Sequence, residues 1–334
     1  MTTATGNAGL PPDFRRARLR ELVRTPEFTL ALIAVVGFTA LASTTHGNLL
    51  HGDTLRSVFQ YLAVPILVGL AQMAVLGVGQ MNLSVGVLTG FCSMIAAWLM
   101  VRAGLPAGVA VVAAVLVGAA VGAVNGLVVV LTRINGFIVT LATMTIIDGL
   151  RYGVHGTSTF QGYSPDLVRL GQGSILGVPN PFLVAVIVAV LVALFFRRAA
   201  LGRQLLATGG NPLAARLSGI SNDRSIVLAH LLSGLLAGIA GVVEVALSGS
   251  VNATIGDDLL LPSFAAPIIG GVALVGGAVS VAGTCLAALI IRLVDVAQAQ
   301  YSIDPSWVSL IVGAVVLGAV LLTQLRTRHK GTGT

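Results

Sequence analysis

The chain has 334 residues, of which 56% are hydrophobic and only 9% charged, with a formal net charge of +7 and a mean hydropathy of +0.96. That composition lies far outside the soluble globular range and describes a chain that crosses a membrane many times. The positive charge falls in clusters between apolar blocks, which excludes a basic nucleic-acid-binding domain and makes the charge an orientation signal.

The basic residues are 18 Arg and a single Lys, Lys330 near the C-terminus, so no glycine loop followed by a phosphate-binding lysine exists. Cys92 and Cys285 lie in separate apolar segments, and His46, His51, His155, His230 and His329 lack ligand spacing. Neither a disulfide framework nor a metal site is expected, and no cofactor is expected on this chain.

Taken from the start, residues 1–26 form a polar, basic N-terminal arm with Arg15, Arg16, Arg18, Arg20 and Arg24. Phe14, Leu19, Leu22 and Val23 supply an apolar stripe, which suits a helix lying on the inner leaflet. Ala40-Leu41-Ala42 resembles a signal-peptidase site, but the long polar region ahead of it and the many hydrophobic segments behind it favour a retained first span. At about 20 residues per crossing of a hydrocarbon core of about 30 Å, the apolar blocks give ten spans: 27–45, 60–79, 83–101, 106–131, 137–154, 181–196, 226–247, 264–278, 281–300 and 307–325. The eighth is short and begins after Pro262, so a broken or re-entrant helix stands beside a full span as its reading. Residues 27–325 then make one all-α transmembrane domain, and 326–334 a cytoplasmic tail.

With the N-terminus inside, fourteen of the nineteen basic residues fall inside: five in the arm, Arg133, five in the loop 197–225 and three in the tail. That asymmetry fixes the orientation and makes both termini cytoplasmic. The longest outer loop, about 155–180, divides the spans into five and five. An odd number per half turns the second half over, giving two five-helix halves of inverted topology, a geometry that in transporters puts the solute route where the halves meet. Residue by residue no repeat is convincing; the match of Leu83-Ser84-Val85 with Val279-Ser280-Val281 is too short.

Gly202 to Asn222 is the longest polar, basic interval in the second half. Asn211 is a good N-cap, Pro212 suits the first helical position and Gly219 supplies a left-handed stop, which predicts a helix over Pro212 to Ser218. Two turns are too few to be stable free in water, so this helix is expected to dock against something. A helix-turn-helix is excluded because the next segment, Ile226 to Leu247, is almost wholly apolar and offers nothing to bases or phosphates. An ordinary loop with one turn of helix is the other reading.

Inside the spans, Gly118, Gly122 and Gly126, and again Gly234 and Gly238, recur at helix-packing spacing. Gly77, Gly79, Gly270-Gly271 and Gly276-Gly277 sit near inner ends of spans, where packing comes first and a break second. Asp148 with Arg151, and Arg292 with Asp295, are i,i+3 pairs that neutralise each other; His230 and Glu244 complete the ionisable set. Asp148, Glu244 or Asp295 would serve a proton-coupled secondary transporter, the alternative reading. An uncharged solute instead needs hydrogen-bonding groups along its route, and Gln72, Asn82, Ser84, Asn125, Thr140 and Thr143 fit that need, although each can equally bond a neighbouring helix. No HExxH and no Ser, His and acid constellation supports an intramembrane enzyme, so no catalytic residue is assigned.

Four stretches carry a family resemblance: Gly79 to Gly86 (GQMNLSVG), Asn135 to Thr145 (NGFIVTLATMT), Ile269 to Gly277 (IGGVALVGG), and the loop Gly202 to Ile220 with Ala214-Ala215 and Gly219. Over about residues 60 to 325 the chain resembles the membrane permeases of ABC importers for ribose and related monosaccharides, with branched-chain amino-acid permeases as close relatives. The resemblance implies a pore made with a second permease copy or paralogue in the bacterial inner membrane and its lipid. It also implies separate ATPase subunits holding ATP-Mg, and a periplasmic or lipid-anchored sugar-binding protein.

Gly209, Gly210, Asn211, Pro212, Ala214, Ala215, Arg216 and Gly219 are then the ATPase-coupling residues. Small Ala214 and Ala215 would let the helix sit deep in an ATPase groove, and Arg216 would meet an acidic rim. The chain departs from the family pattern at Asn82, where an acidic residue is common, at Pro212-Leu213, where polar residues are common, and at Asp148, where a basic residue is common.

Overall fold

The computed structural model describes residues 25–302 apart from 46, 156, 157 and 163, together with 304, 306, 307, 310, 313, 314, 317 and 318. Helix α1 (Pro26–Thr44) starts where Thr25 accepts a hydrogen bond from Phe28 N at 3.4 Å, with Pro26 in the first turn and Glu27 facing the positive end of the helix dipole. A 3-10 turn (Asn48–Leu50) leads to α2 (Gly52–Leu76), α3 (Val85–Val101), α4 (Ala107–Thr132) and α5 (Gly136–His155). A connecting segment holds β1 (Phe160–Gln161), α6 (Pro165–Gln172), β2 (Ser174–Ile175) and β3 (Val178–Pro179). The second half has α7 (Asn180–Arg198), α8 (Ala200–Gly210), α9 (Pro212–Leu217), α10 (Asn222–Ser248), β4 (Ser250–Val251), a 3-10 turn (Asp257–Leu259), α11 (Leu260–Ile269) and α12 (Val281–Tyr301). The described strands form only two antiparallel bridges of two residues each, Phe160↔Val251 with Gln161↔Ser250, and Ser174↔Pro179 with Ile175↔Val178. The fold is helical, and the described residues form no barrel.

Six described helices, α1, α2, α4, α7, α10 and α12, are long and apolar enough to cross a membrane, and α3 is apolar but shorter at 17 residues. The eighth expected span resolves into a broken element. Helix α11 stops at Ile269 after 10 residues, and residues 270–280 run without regular structure to α12. Gly271, Gly276 and Gly277 take φ of +86°, +90° and +88°, so this stretch turns where only glycine turns without strain. The tenth expected span, 307–325, lies largely outside the described residues, as do the N-terminal arm ahead of residue 25 and the tail. The polar interval after α7 holds more helix than its composition suggested: α8 buries Leu205 and Gly202 while its charged and amide groups face out, an amphipathic pattern that a count of polar residues hides.

Helix α2 is the centre of the molecule, buried almost continuously from Leu62 to Leu76 and packed by α7, α10, α11 and α12. Helix α10 lies across α2, α3 and α4, and its contact with α4 is the most extensive in the fold. The glycines explain that contact. A Cβ on Gly118 would lie 2.5 Å from the Gly234 carbonyl oxygen, one on Gly126 2.7 Å from Val227 Cα, and one on Gly238 2.9 Å from Val115 Cα. The two helices therefore run antiparallel with backbone on backbone, the close packing that holds helices together where lipid removes the hydrophobic drive between them. The outward faces of α1, α4 and α7 carry Leu32, Ile33, Val35, Val112, Leu116, Ile187 and Leu191, an apolar exterior suited to acyl chains.

Candidate functional site

All six polar residues expected along a solute route meet in one buried network. Asn82 and Ser84 sit in the break between α2 and α3; Gln72 comes from α2, Asn125 from α4, and Thr140 and Thr143 from α5. Asn82 Oδ1 accepts from Ser84 N at 3.0 Å and from Ser84 Oγ at 2.7 Å, which closes the turn on itself. Asn125 donates to Ser84 Oγ at 3.4 Å and accepts from Thr143 Oγ1 at 2.6 Å. Leu83 N donates to Thr140 Oγ1 at 3.0 Å. The Gln72 amide, oriented as its partners require, donates from its nitrogen to Asn82 O at 2.8 Å and accepts at its oxygen from Asn82 N at 3.3 Å.

Ser233 of α10, absent from the sequence reading, accepts from Asn82 Nδ2 at 3.0 Å. The chemistry is that of a helix break inside a membrane, whose freed backbone groups must find partners in the protein. Every bond named here is made to another protein group, so a solute reaches these residues only when the network opens.

The same turn occurs a second time. Asn82-Leu83-Ser84-Val85-Gly86 has its counterpart in Asn252-Ala253-Thr254-Ile255-Gly256, where Asn252 Oδ1 accepts from Thr254 N and from Thr254 Oγ1, both at 3.1 Å. Each copy follows a long helix, α2 or α10, and leads toward a shorter one, α3 or α11. The copies meet at their glycines: a Cβ on Gly86 would lie 2.9 Å from Gly256 O, and one on Gly256 2.7 Å from Gly86 O. The two stretches share the pattern asparagine, any residue, Ser or Thr, Val or Ile, glycine. The match of residues 83–85 with 279–281 has no such counterpart, since Ser280 instead caps α12 and donates to Glu27 Oε1 at 2.8 Å.

Helix α9 forms where expected. Asn211 caps it by accepting from Ala214 N at 3.0 Å, Pro212 is in its first turn, and Gly219 follows it at φ +80°. Asn222 holds it against its neighbours, donating to Pro212 O at 2.8 Å and accepting from Thr208 Oγ1 at 3.3 Å. Ala215 is 4% exposed and turned into its own chain. The outward face carries Ala214, Arg216 and two leucines one turn apart, Leu213 and Leu217, 69% and 82% exposed. That i,i+4 pair puts two large apolar side chains side by side on the outward face.

Gly209 and Gly210, just ahead of α9, enter a joint built from glycine. A Cβ on Gly209 would collide with Gly77 O and lie 2.6 Å from Gly277 N, and one on Gly277 would lie 2.6 Å from Gly210 Cα. Gly277 N donates to Gly77 O at 3.0 Å. The end of α2, the irregular stretch before α12 and the entry to α9 thus share one contact of backbones. Beside it, Arg133 grips Asp223 of α10 with two bonds of 2.7 and 3.0 Å, and that carboxylate holds the guanidinium above its usual pKa.

The ionisable residues of the spans fall in three places. Arg151 is fully buried and pairs with Asp148 at 3.3 Å, as the spacing predicts, but its shorter bond, 2.7 Å, goes to Asp257, and a further one of 2.8 Å goes to Ile255 O. It pins the second asparagine turn to α5. Arg292 lies 3.9 Å from Asp295 and stacks over the Tyr61 ring, 5.3 Å from its centroid. Glu244 and Asp295 line one cavity with Asp258. His230, buried where α4 meets α10, has no hydrogen bond on either ring nitrogen. Among the described residues no group of three or more His, Cys, Asp and Glu is arranged to hold a metal ion.

Residues 55–320 match the family described as branched-chain amino acid transport system / permease component. The chain is 30% identical over 298 residues to the D-allose transport system permease protein of Escherichia coli (strain K12), covering 89% of this chain and 90% of that one. It is 32% identical over 296 residues to the ribose import permease protein of the same strain, covering 87% and 92%. The fructose import permease protein of Rhizobium meliloti is 30% identical over 308 residues, covering 90% and 86%. No solved structure matches the chain.

Proposed function

The chain belongs to the branched-chain amino acid transport system / permease component family, and from that premise we propose that it is the membrane subunit of an ATP-driven importer for a monosaccharide or related small polyol. It is a transport subunit and a multi-pass membrane protein, not an enzyme. The sugar class comes from the relatives that import D-allose, ribose and fructose. Separate ATPase subunits carry ATP-Mg, a sugar-binding protein presents the solute from outside, and a second permease copy or paralogue completes the pore in the inner membrane, with both termini in the cytoplasm. The proton-coupled alternative has no comparable support.

The observation that carries the mechanism is α9. It is short, firmly capped, held by Asn222, and presents Leu213 and Leu217 to whatever lies beyond the chain. In this reading an ATPase groove covers those leucines, Ala214 and Arg216 flank the contact, and Gly209 and Gly210 pass its movement through the glycine joint to α2 and to the stretch before α12. The ten-span arrangement in two inverted halves accounts for the paired asparagine turns, which then lie at the meeting of the halves. Gln72, Asn82, Ser84, Asn125, Thr140 and Thr143 form the closed side of the route and part when the ATPases close.

The test is reconstitution. Proteoliposomes holding the chain with its ATPase and binding protein should accumulate D-ribose, D-allose or D-fructose on addition of ATP, and the chain alone should do nothing under a proton gradient. Accumulation by the chain alone, driven by protons, contradicts the proposal.

A further inference from the structure

A cavity opens just after the second asparagine turn. Residues 257–262, which follow the turn, enclose a half-open cavity of about 680 Å³ with α2, α10 and α12. That volume lies within the roughly 300–1,000 Å³ of small-molecule sites. We propose that this cavity is the outer station of the transported solute, and that it takes a neutral polyhydroxylated molecule.

Three observations lead there. First, the lining alternates function. Glu244, Asp258 and Asp295 offer acceptor oxygens, Arg292 and Gln298 offer donors, and the Tyr61 ring offers a flat apolar wall. A polyol presents the same alternation of hydroxyl donors, hydroxyl acceptors and C–H faces. Asp257, the fourth carboxylate of the lining, is bound to Arg151 at 2.7 Å.

Second, Glu244, Arg292 and Asp295 belong to α10 and α12, helices long and apolar enough to span, and ionisable groups on such helices face water or protein and not lipid. The side of the molecule that carries this cavity is therefore wetted or covered. Third, the repeat relates the two regions. The first turn lies in a network with Gln72, Asn125, Thr143 and Ser233, whereas Asn252 and Thr254 of the second are exposed, just ahead of the cavity-lining residues 257–262. One sequence device, used twice, is shut at one end and open at the other, as a route that never opens at both ends requires.

This rests on the sugar-import reading above, and the experiment separates the two. In cells making the assembled importer from a chain with Cys92→Ala and Cys285→Ala, Leu261→Cys at the cavity rim is treated in sealed, right-side-out form with a membrane-impermeant methanethiosulfonate. Labelling is expected, and it should slow at least several-fold when a sugar that the cells take up, D-ribose, D-allose or D-fructose, is present. No labelling from outside, or labelling indifferent to a sugar the same cells import, overturns the cavity.

Glu244→Gln and Asp295→Asn, normalised to protein in the membrane, are each expected to lower maximal uptake about tenfold, the scale of one lost hydrogen bond to a charged group. Asp166→Asn, in the exposed pair with Arg169, should leave uptake as it was. Full uptake in both cavity variants overturns the cavity alone. Failure of the unsubstituted importer to take up any of the three sugars overturns the sugar reading, and this proposal with it.

Discussion

Asn82 shows what one side chain does in a helix break. Its oxygen takes two bonds from Ser84 and its nitrogen gives one to Ser233, all away from water. Asn82→Ala strands those partners, each at a cost of about 1–3 kcal/mol, so its thermal unfolding in detergent should begin several degrees lower and its uptake should fall; an unchanged melting curve would show the network to be dispensable.

Arg151 is a milder case. Its carboxylate partners are 42% and 51% exposed and can turn to water when it is removed, so Arg151→Met should cost about 1–3 kcal/mol and not the larger penalty of a fully buried pair. Limited proteolysis should then cut within residues 252–259 sooner than in the unsubstituted chain, and equal cutting rates would contradict the pinning of that turn. At this scale residue type was a good guide to the polar network and a poor guide to its partners. Six polar residues could be picked out because each is costly in a membrane, but Ser233 could not be linked to Asn82, nor Asp257 to Arg151, since these partners lie 151 and 106 residues apart.

The elements divide in the same way. Helix α9 could be read from local rules because caps are local: Asn211, Pro212 and Gly219 define it without reference to the rest of the fold. Which face it turns outward was not local, and Ala215 went to the inside. Leu213→Ser with Leu217→Ser should therefore weaken ATPase binding on the order of a hundredfold, the worth of two buried leucines, while the permease still folds; co-purification with the ATPase at undiminished yield would reject the leucine face. Ala215→Leu acts differently, displacing α9 from its own chain, and should lower thermal stability even without the ATPase.

The glycine joint gives a third expectation. Gly209→Val forces a side chain into the Gly77 carbonyl, so binding of the ATPase should persist while ATP hydrolysis loses its link to uptake. Uptake per ATP equal to that of the unsubstituted importer would show that the joint transmits nothing. Helix α8 was missed for the opposite reason to α9, because its amphipathic face has meaning only once Leu205 has a core to enter.

For the molecule as a whole, six of the ten spans expected from hydropathy coincide with described helices long and apolar enough to cross a membrane, because a crossing is a matter of length and composition, both written in order along the chain. Hydropathy left the eighth undecided, and α11 with the glycine-rich stretch behind it shows why: the element has the apolarity of a span and the backbone of a turn. The likeness of the two asparagine turns escaped for another reason, since only Asn and Gly are identical in five positions and the turns become related only when Gly86 and Gly256 are seen in contact. The proposed roles of the joint and the docking helix rest on the expectation, from charge, that the loop 197–225 is cytoplasmic.

The direct measurement is the reactivity of Leu213→Cys, in a chain with Cys92→Ala and Cys285→Ala, toward a membrane-impermeant maleimide. The account predicts no labelling in sealed, right-side-out cells, labelling once the membrane is opened, and protection when the ATPase is bound. Labelling of the intact cells from outside would contradict it.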